Sequence, residues 1–290
     1  MQYGFSIKRK CYLLSVLLMT VWLTGCVQEE FESTPSPAGN GIRFTLTVPD
    51  VNLPSVSSRT MTGTGTAKKE DEIETVDILV FDMSKTPAVF LEWVSATGVT
   101  QDLADNSTVS FSAVLSPTTA STCIVVVANK ELDNIVSGFT KGATTKVEAM
   151  EKMLHTQTGK WLADGSTTGG YTRIPMYGEK VISKITPSMN PITEINMKRM
   201  LARIDIRNNS VTSNFMVEEV YLANYNTTGY IAPAWNTNGQ VTEPAPDTPV
   251  LPTGSGKMTE EGNAILYSVN GNTPYDGEIY TFESLTVWFG

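Results

Sequence analysis

The chain has 290 residues, 41% of them hydrophobic and 18% charged, which is enough for one large or two ordinary β domains and too apolar for a fully disordered chain. Thirty acidic against 21 basic side chains give a formal charge of -9, and the balance becomes more negative once the cluster Lys8-Arg9-Lys10 leaves with the leader described below, so nucleic-acid binding through a broad basic face is excluded. A single histidine, His155, excludes any site that needs two imidazoles, and no metal or cofactor site is expected.

Behind that basic cluster runs the apolar stretch Tyr12–Leu23. As a helix it would rise about 18 Å, short of the ~30 Å of a hydrocarbon core, so it reads as the h-region of a signal peptide over residues 1–25. It ends in Leu23-Thr-Gly-Cys26, which resembles a bacterial lipobox, and Cys26 is the expected site of acylation. Each buried acyl CH₂ contributes about 0.8 kcal/mol, so two or three chains would hold the protein on the outer membrane without a spanning segment. The acidic run Val27–Glu32 fits either a surface-export signal or a solvated linker. With Cys11 in the leader and Cys26 acylated, Cys123 has no disulfide partner and reads as a buried structural thiol.

Residues 26–40 form a tether stiffened by Pro35 and Pro37. The first strand follows: Ile42, Phe44, Leu46 and Val48 alternate with Arg43, Thr45 and Thr47, one face for a core and one for water. The interval 49–72, centred on Ser55-Val-Ser-Ser-Arg-Thr-Met-Thr-Gly-Thr-Gly-Thr66, is too polar to offset ~1–2 kcal/mol of backbone entropy per residue and is expected to be a loop. Further strands are expected at 73–82 with Val76, Ile78 and Val80 on one face, then at 89–94, 109–115 and 122–128. Thr145 and Glu148 have capping-box spacing ahead of Val147, Met150 and Leu154, so one short helix is expected there with His155 in its last turn, exposed or favoured by the helix dipole. Strands are then expected at 192–197, over Met200–Arg207, and at 215–225, 264–269 and 278–289, with the Pro-rich stretch Glu243–Pro252 as loop. Short, regularly spaced strands with Gly/Pro turns indicate a β-sandwich architecture. The domain boundary is placed near 195, giving 41–195 and 196–290.

No catalytic constellation emerges. The Gly-Lys pairs at 159–160 and 256–257 lack the remaining residues of a phosphate loop, and the carboxylate pairs Glu218-Glu219 and Glu260-Glu261 are adjacent, so a strand would point them to opposite faces. Trp93 and Trp161 could line a sugar-binding groove, which makes a surface glycan-binding lipoprotein of an uptake system the alternative reading.

In order and spacing, the lipobox, Gly41-Ile-Arg-Phe-Thr-Leu-Thr-Val48, the loop bearing Arg59, the strand Glu72–Asp82, Ile174-Pro-Met-Tyr-Gly178 and Met197–Ile206 resemble the major fimbrial subunit (fimbrillin, FimA-like) family of type V pili. The resemblance implies a mostly β protein of two tandem sandwich domains of transthyretin-like or Greek-key kind, with one short helix in the first. The family's longer second domain implies that 196–290 is incomplete. It also implies a non-enzymatic subunit that reaches the outer membrane as a lipoprotein precursor, is cut by an arginine-specific or trypsin-like maturation protease, and then polymerises by donor-strand exchange with other pilin subunits. The fimbrium so formed supports adhesion, with host surface molecules among its partners. Carried onto this sequence, the expected cut is Arg59-Thr60, 11 residues past Val48, with Arg43 the weaker candidate inside the first strand. The removable strand would present Ile42, Phe44, Leu46 and Val48 to the core.

Overall fold

The computed structural model describes residues 42–47, 70–101, 108–157, 159–162, 172–207, 219–223, 225–243, 250–253, 265–268, 276–283 and 288–289, all within the unit 40–290. In chain order they form β1 (Ile42–Thr47), β2 (Val76–Asp82), β3 (Val89–Ser95), β4 (Thr97–Gln101), β5 (Thr108–Ala113) and β6 (Thr122–Ala128). Two helices come next, α1 (Asp133–Val136) and α2 (Lys146–Lys152), followed by β7 (Leu154–Thr156), β8 (Met176–Ile182), β9 (Ile192–Asn196) and β10 (Lys198–Arg199). The remaining strands are β11 (Ala202–Arg207), β12 (Glu219–Ala223), β13 (Thr228–Tyr230), β14 (Ile265–Ser268), β15 (Asp276–Thr281) and β16 (Trp288–Phe289). The protein is mostly β, as the strand spacing predicts.

Two sheets face each other. The first has the order β4-β5-β1-β9 and the second β10-β8-β6-β2-β3. The apolar residues at alternate positions of β1 and β5, with Ile192 and Ile195 of β9, meet Val76, Ile78 and Val80 of β2 and Ile124, Val126 and Ala128 of β6 in one buried cluster. The second sheet is covered on its other face as well: Leu79, Phe81, Cys123, Val125 and Val127 join Ala149 and Met150 of α2, Trp161, Met200, Ile231 and Phe282 in a second cluster. That double burial explains why β6 reads as an unbroken apolar run: all seven of its residues are buried.

α2 begins as its sequence predicts. The Thr145 hydroxyl accepts from the Glu148 amide at 3.2 Å while the Thr145 amide donates to the Glu148 carboxylate at 2.7 Å. The helix is shorter than expected, however, and His155 lies in β7 instead of its last turn, because β7 pairs with β13 and sets His155 opposite Gly229. The strand expected over Met200–Arg207 starts at Ala202, as β11 paired with β15; Met200 turns into the second cluster, and β10, in the gap between two expected strands, belongs to the second sheet. A polar edge strand, β4, and a four-residue helix, α1, have no counterpart in the sequence reading because neither carries a marked apolar period.

Candidate functional site

β1 is an interior strand. Six residue pairs join it antiparallel to β5, from Ile42 opposite Ala113 to Thr47 opposite Thr108, and on its other side it runs parallel to β9, with Phe44 opposite Ile192 and Leu46 opposite Ile195. Its alternation therefore separates two environments. Ile42, Phe44 and Leu46 are 4%, 0% and 0% exposed, while Arg43 and Thr45 are half-buried and Thr47 is exposed. Phe44 stacks on Phe111 of β5 with ring centroids 5.0 Å apart and planes within 7° of parallel. Three of the four side chains expected to face the core do so; the fourth, Val48, lies outside the described residues, as do Cys26, Arg59 and Thr60.

Taken together, these contacts make β1 a wedge between β5 and β9 that caps the cleft formed with the second sheet. A strand that buries three large apolar side chains this way contributes roughly 5–9 kcal/mol at about 1.5–3 kcal/mol each. Lifting it out would leave an apolar slot with unpaired backbone groups on both walls, the template that an added strand completes. Arg43 sits inside the ladder opposite Ser112, where a protease that needs an extended, unpaired substrate has no access in the folded chain.

Where the described chain resumes after residue 47, it is fastened at once by a polar cluster that the sequence reading did not identify. Glu70, only 3% exposed, accepts from Arg203 at 2.7 Å and from the Tyr280 hydroxyl, and Arg199 pairs with Asp71 and donates to the Glu70 carbonyl at 3.4 Å. Gln101 bridges the same segment, donating to the Asp71 carbonyl at 2.7 Å and accepting from the Ile73 amide at 3.0 Å. The start of this body is thus held by groups drawn from β4, β10, β11 and β15, and none of those bonds involves β1. The acid-rich run Glu70-Asp-Glu72 was the available signal, but the arginine and tyrosine partners of Glu70 and Asp71 lie about 130 and 210 positions away.

Of the remaining sequence candidates, Cys123 and Trp161 are structural. Cys123 is fully buried, and that burial pushes its thiol up to about 12. Trp161 is 4% exposed and donates to the Thr172 carbonyl at 2.9 Å, which removes it as a stacking platform for sugar; Trp93 is half-buried on β3. Trp161 instead packs 5.0 Å from the ring of His155, whose desolvation, with Lys130 as a lesser cause, brings its pKa down to about 4.

The model of the family described as "Major fimbrial subunit protein (FimA)" matches residues 42–248. No curated protein matches the chain. Among solved structures, a protein of Parabacteroides distasonis provisionally assigned to cell adhesion is 17% identical, with 85% of this chain and 71% of that one covered at a TM-score of 0.46. A fimbrial assembly protein of the same organism is 12% identical over 86% and 93% of the two chains at a TM-score of 0.41. A Bacteroides thetaiotaomicron protein provisionally described as polysaccharide-binding is 10% identical over 84% and 72% at a TM-score of 0.39.

Proposed function

The chain belongs to the FimA major fimbrial subunit family, and from that premise we propose that it is a structural, non-enzymatic subunit of a cell-surface fimbrium, made as a lipid-anchored precursor and activated by loss of its first strand. In this reading Cys26 carries the acyl anchor to the outer membrane, a maturation protease cuts at Arg59-Thr60, and residues up to the cut leave with β1. A strand from another subunit then enters between β5 and β9, and the polymer serves adhesion. The domains are read as 41–195 for the strand-accepting part and 196–290 for the second part.

The observation that carries the proposal is the position of β1: an interior strand with Ile42, Phe44 and Leu46 buried, tied to its neighbours by backbone pairing and apolar contact. Such a plug is chemically generic. Any strand with large apolar side chains at alternate positions satisfies the same slot. The fastening of Glu70 and Asp71 supports the same sequence of events, because a cut at residue 59 leaves the retained part anchored 11 residues downstream.

The test is limited trypsin digestion followed by size-exclusion chromatography and electron microscopy. Wild-type protein should release a fragment ending at Arg59 and form filaments or oligomers, and Arg59→Ala should remain intact at that bond and monomeric. A synthetic peptide of residues 42–48 should cap the cut subunit and suppress growth. If Arg59→Ala polymerises as well as wild type after digestion, the activating cut lies elsewhere; if the cut protein keeps β1 and stays monomeric, strand replacement is wrong.

A further inference from the structure

If copies of this chain join through the β1 slot, the two outer edges of the same sheet must not offer a competing place for a strand. The described residues show how each is treated. At the β4 edge the register against β5 slips between Thr97 and Thr100, where Gly98 takes φ +64°, and the hydroxyls of Thr97 and Thr100 both bend back to carbonyls of β5. At the β9 edge the register against β1 slips between Ile192 and Ile195, and the extra residue, Glu194, takes φ +60°. A bulge disrupts the regular row of backbone groups that an incoming strand would need.

The β9 bulge has a feature that packing does not account for. Left-handed backbone is unfavourable for a residue with a Cβ and persists only where the surroundings impose it. Glu194 gains no burial in return, since its side chain is 86% exposed. What holds it is Lys180, reaching across from β8 of the facing sheet: its ammonium donates to the Thr193 carbonyl at 2.5 Å and lies 3.6 Å from the Glu194 carboxylate. The lysine occupies the carbonyl next to the strained residue and places a charge pair along the edge. The second sheet's β3 edge is covered in another way, by the segment leading into α2, through Phe90 to Thr144, Gly142 to Phe90 and Lys146 to Ala88 backbone bonds of 2.7–2.8 Å.

We infer that the Lys180-pinned bulge at Thr193–Glu194 is a guard that prevents a second copy of this chain from adding a strand to the β9 edge, and so directs pairing between copies to the β1 slot. The inference rests on the slot reading above, but it is tested with the slot shut. Arg43 and Ser112 are register partners across β1 and β5, and an Arg43→Cys/Ser112→Cys cross-link keeps β1 in place. In that background, without protease, light scattering after gel filtration should find monomer for the parent and for Lys180→Arg, and a several-fold rise in concentration-dependent oligomer for Lys180→Ala and for deletion of Glu194. If both altered chains melt cooperatively and remain monomeric at every concentration at which the parent does, the guard role is overturned; should the deletion fail to fold, Lys180→Ala alone decides. Digestion of the chain without the cross-link reports on the slot itself, so failure of one reading does not disguise failure of the other.

Discussion

The two faces of the β10-β8-β6-β2-β3 sheet are closed in different ways. One is closed by β1 and its sheet, through alternating aliphatic and aromatic side chains and backbone ladders. The other is closed by shaped, polar-keyed parts of the same chain. Lys146, 2% exposed, donates to Glu179 and to the Gly239 carbonyl, both at 2.6 Å; Glu179 also accepts from the buried Tyr177 hydroxyl at 2.5 Å; and Trp161 is keyed to Thr172. A buried ammonium tolerates few alternatives, because any replacement element must bring matching acceptors. An apolar slot tolerates many. Under the proposed strand replacement, the irreplaceable chemistry lies on one face and the exchangeable chemistry on the other.

The sharpest way to break this contrast is to damage one side at a time. Phe44→Ala removes the ring stacked on Phe111 from a fully buried site, and a loss of about 4 kcal/mol is expected in urea unfolding of the uncut protein. If the face is exchangeable, most of that loss should be recovered by adding the wild-type 42–48 peptide to protein cut after the first strand. Lys146→Ala removes the ammonium shared by the Glu179 carboxylate and the Gly239 carbonyl, at a cost of about 3 kcal/mol that no strand peptide should recover. Recovery of both, or of neither, would mean that the two faces do not differ as described.

The face closed by β1 was the more legible of the two in the sequence. Period-2 alternation in Ile42–Leu46, Val76–Val80 and Val109–Ala113 is local, and so is the Thr145/Glu148 capping box; each forms as its spacing predicts. What escaped was set by distant partners. β9 as the parallel neighbour of β1, the β7–β13 pair that takes His155 out of the helix, and the Glu70 fastening all join residues whose separation in the chain leaves no local trace. The two-sided burial of β2 shows the limit in a single strand: Leu79 and Phe81 occupy positions that alternation assigns to water, and only the overlying helix and the residues near 231 and 282 make them core. For the candidate site, the facing residues of the plug were readable, but its interior position in the sheet was not.

A smaller perturbation sharpens the contrast where the two sheets touch. A Cβ at Gly178 of β8 would lie 2.7 Å from the Met197 sulfur, 2.9 Å from Ile195 and 3.0 Å from the Asn196 carbonyl, so Gly178→Ala must push on the β9 wall of the slot. The expected cost is about 2 kcal/mol in the uncut chain, with faster release of β1 after cutting, measured by fragment dissociation on gel filtration. The wild-type dissociation rate in Gly178→Ala would mean that β9 is not a determining wall of the slot.

The smallest effect belongs to the keyed face and is read by pH. His155 packs between Trp161 and Phe282, with ring centroids 5.0 and 6.4 Å away, and its pKa falls from the ordinary 6.5 to about 4 through desolvation first and Lys130 second. The native state therefore resists the proton that the unfolded chain accepts. Stability from this residue is fully present above pH 6.5, declines as the pH falls toward about 4, and changes no further below that, because both states are then protonated. The ring is only partly buried, so solvent screening reduces the effect to about 1 kcal/mol across the window. The informative quantity is the difference between wild type and His155→Gln in urea midpoint at pH 7 and pH 4.5, in which the titration of groups common to both proteins cancels. That difference should shift in favour of the glutamine variant on acidification, whereas occupancy of the β1 slot, followed by peptide exchange, should keep the same pH profile in both proteins. A parallel change in slot occupancy would show that the two faces of the shared sheet are coupled, and their separation into a fixed and an exchangeable side would then have to be abandoned.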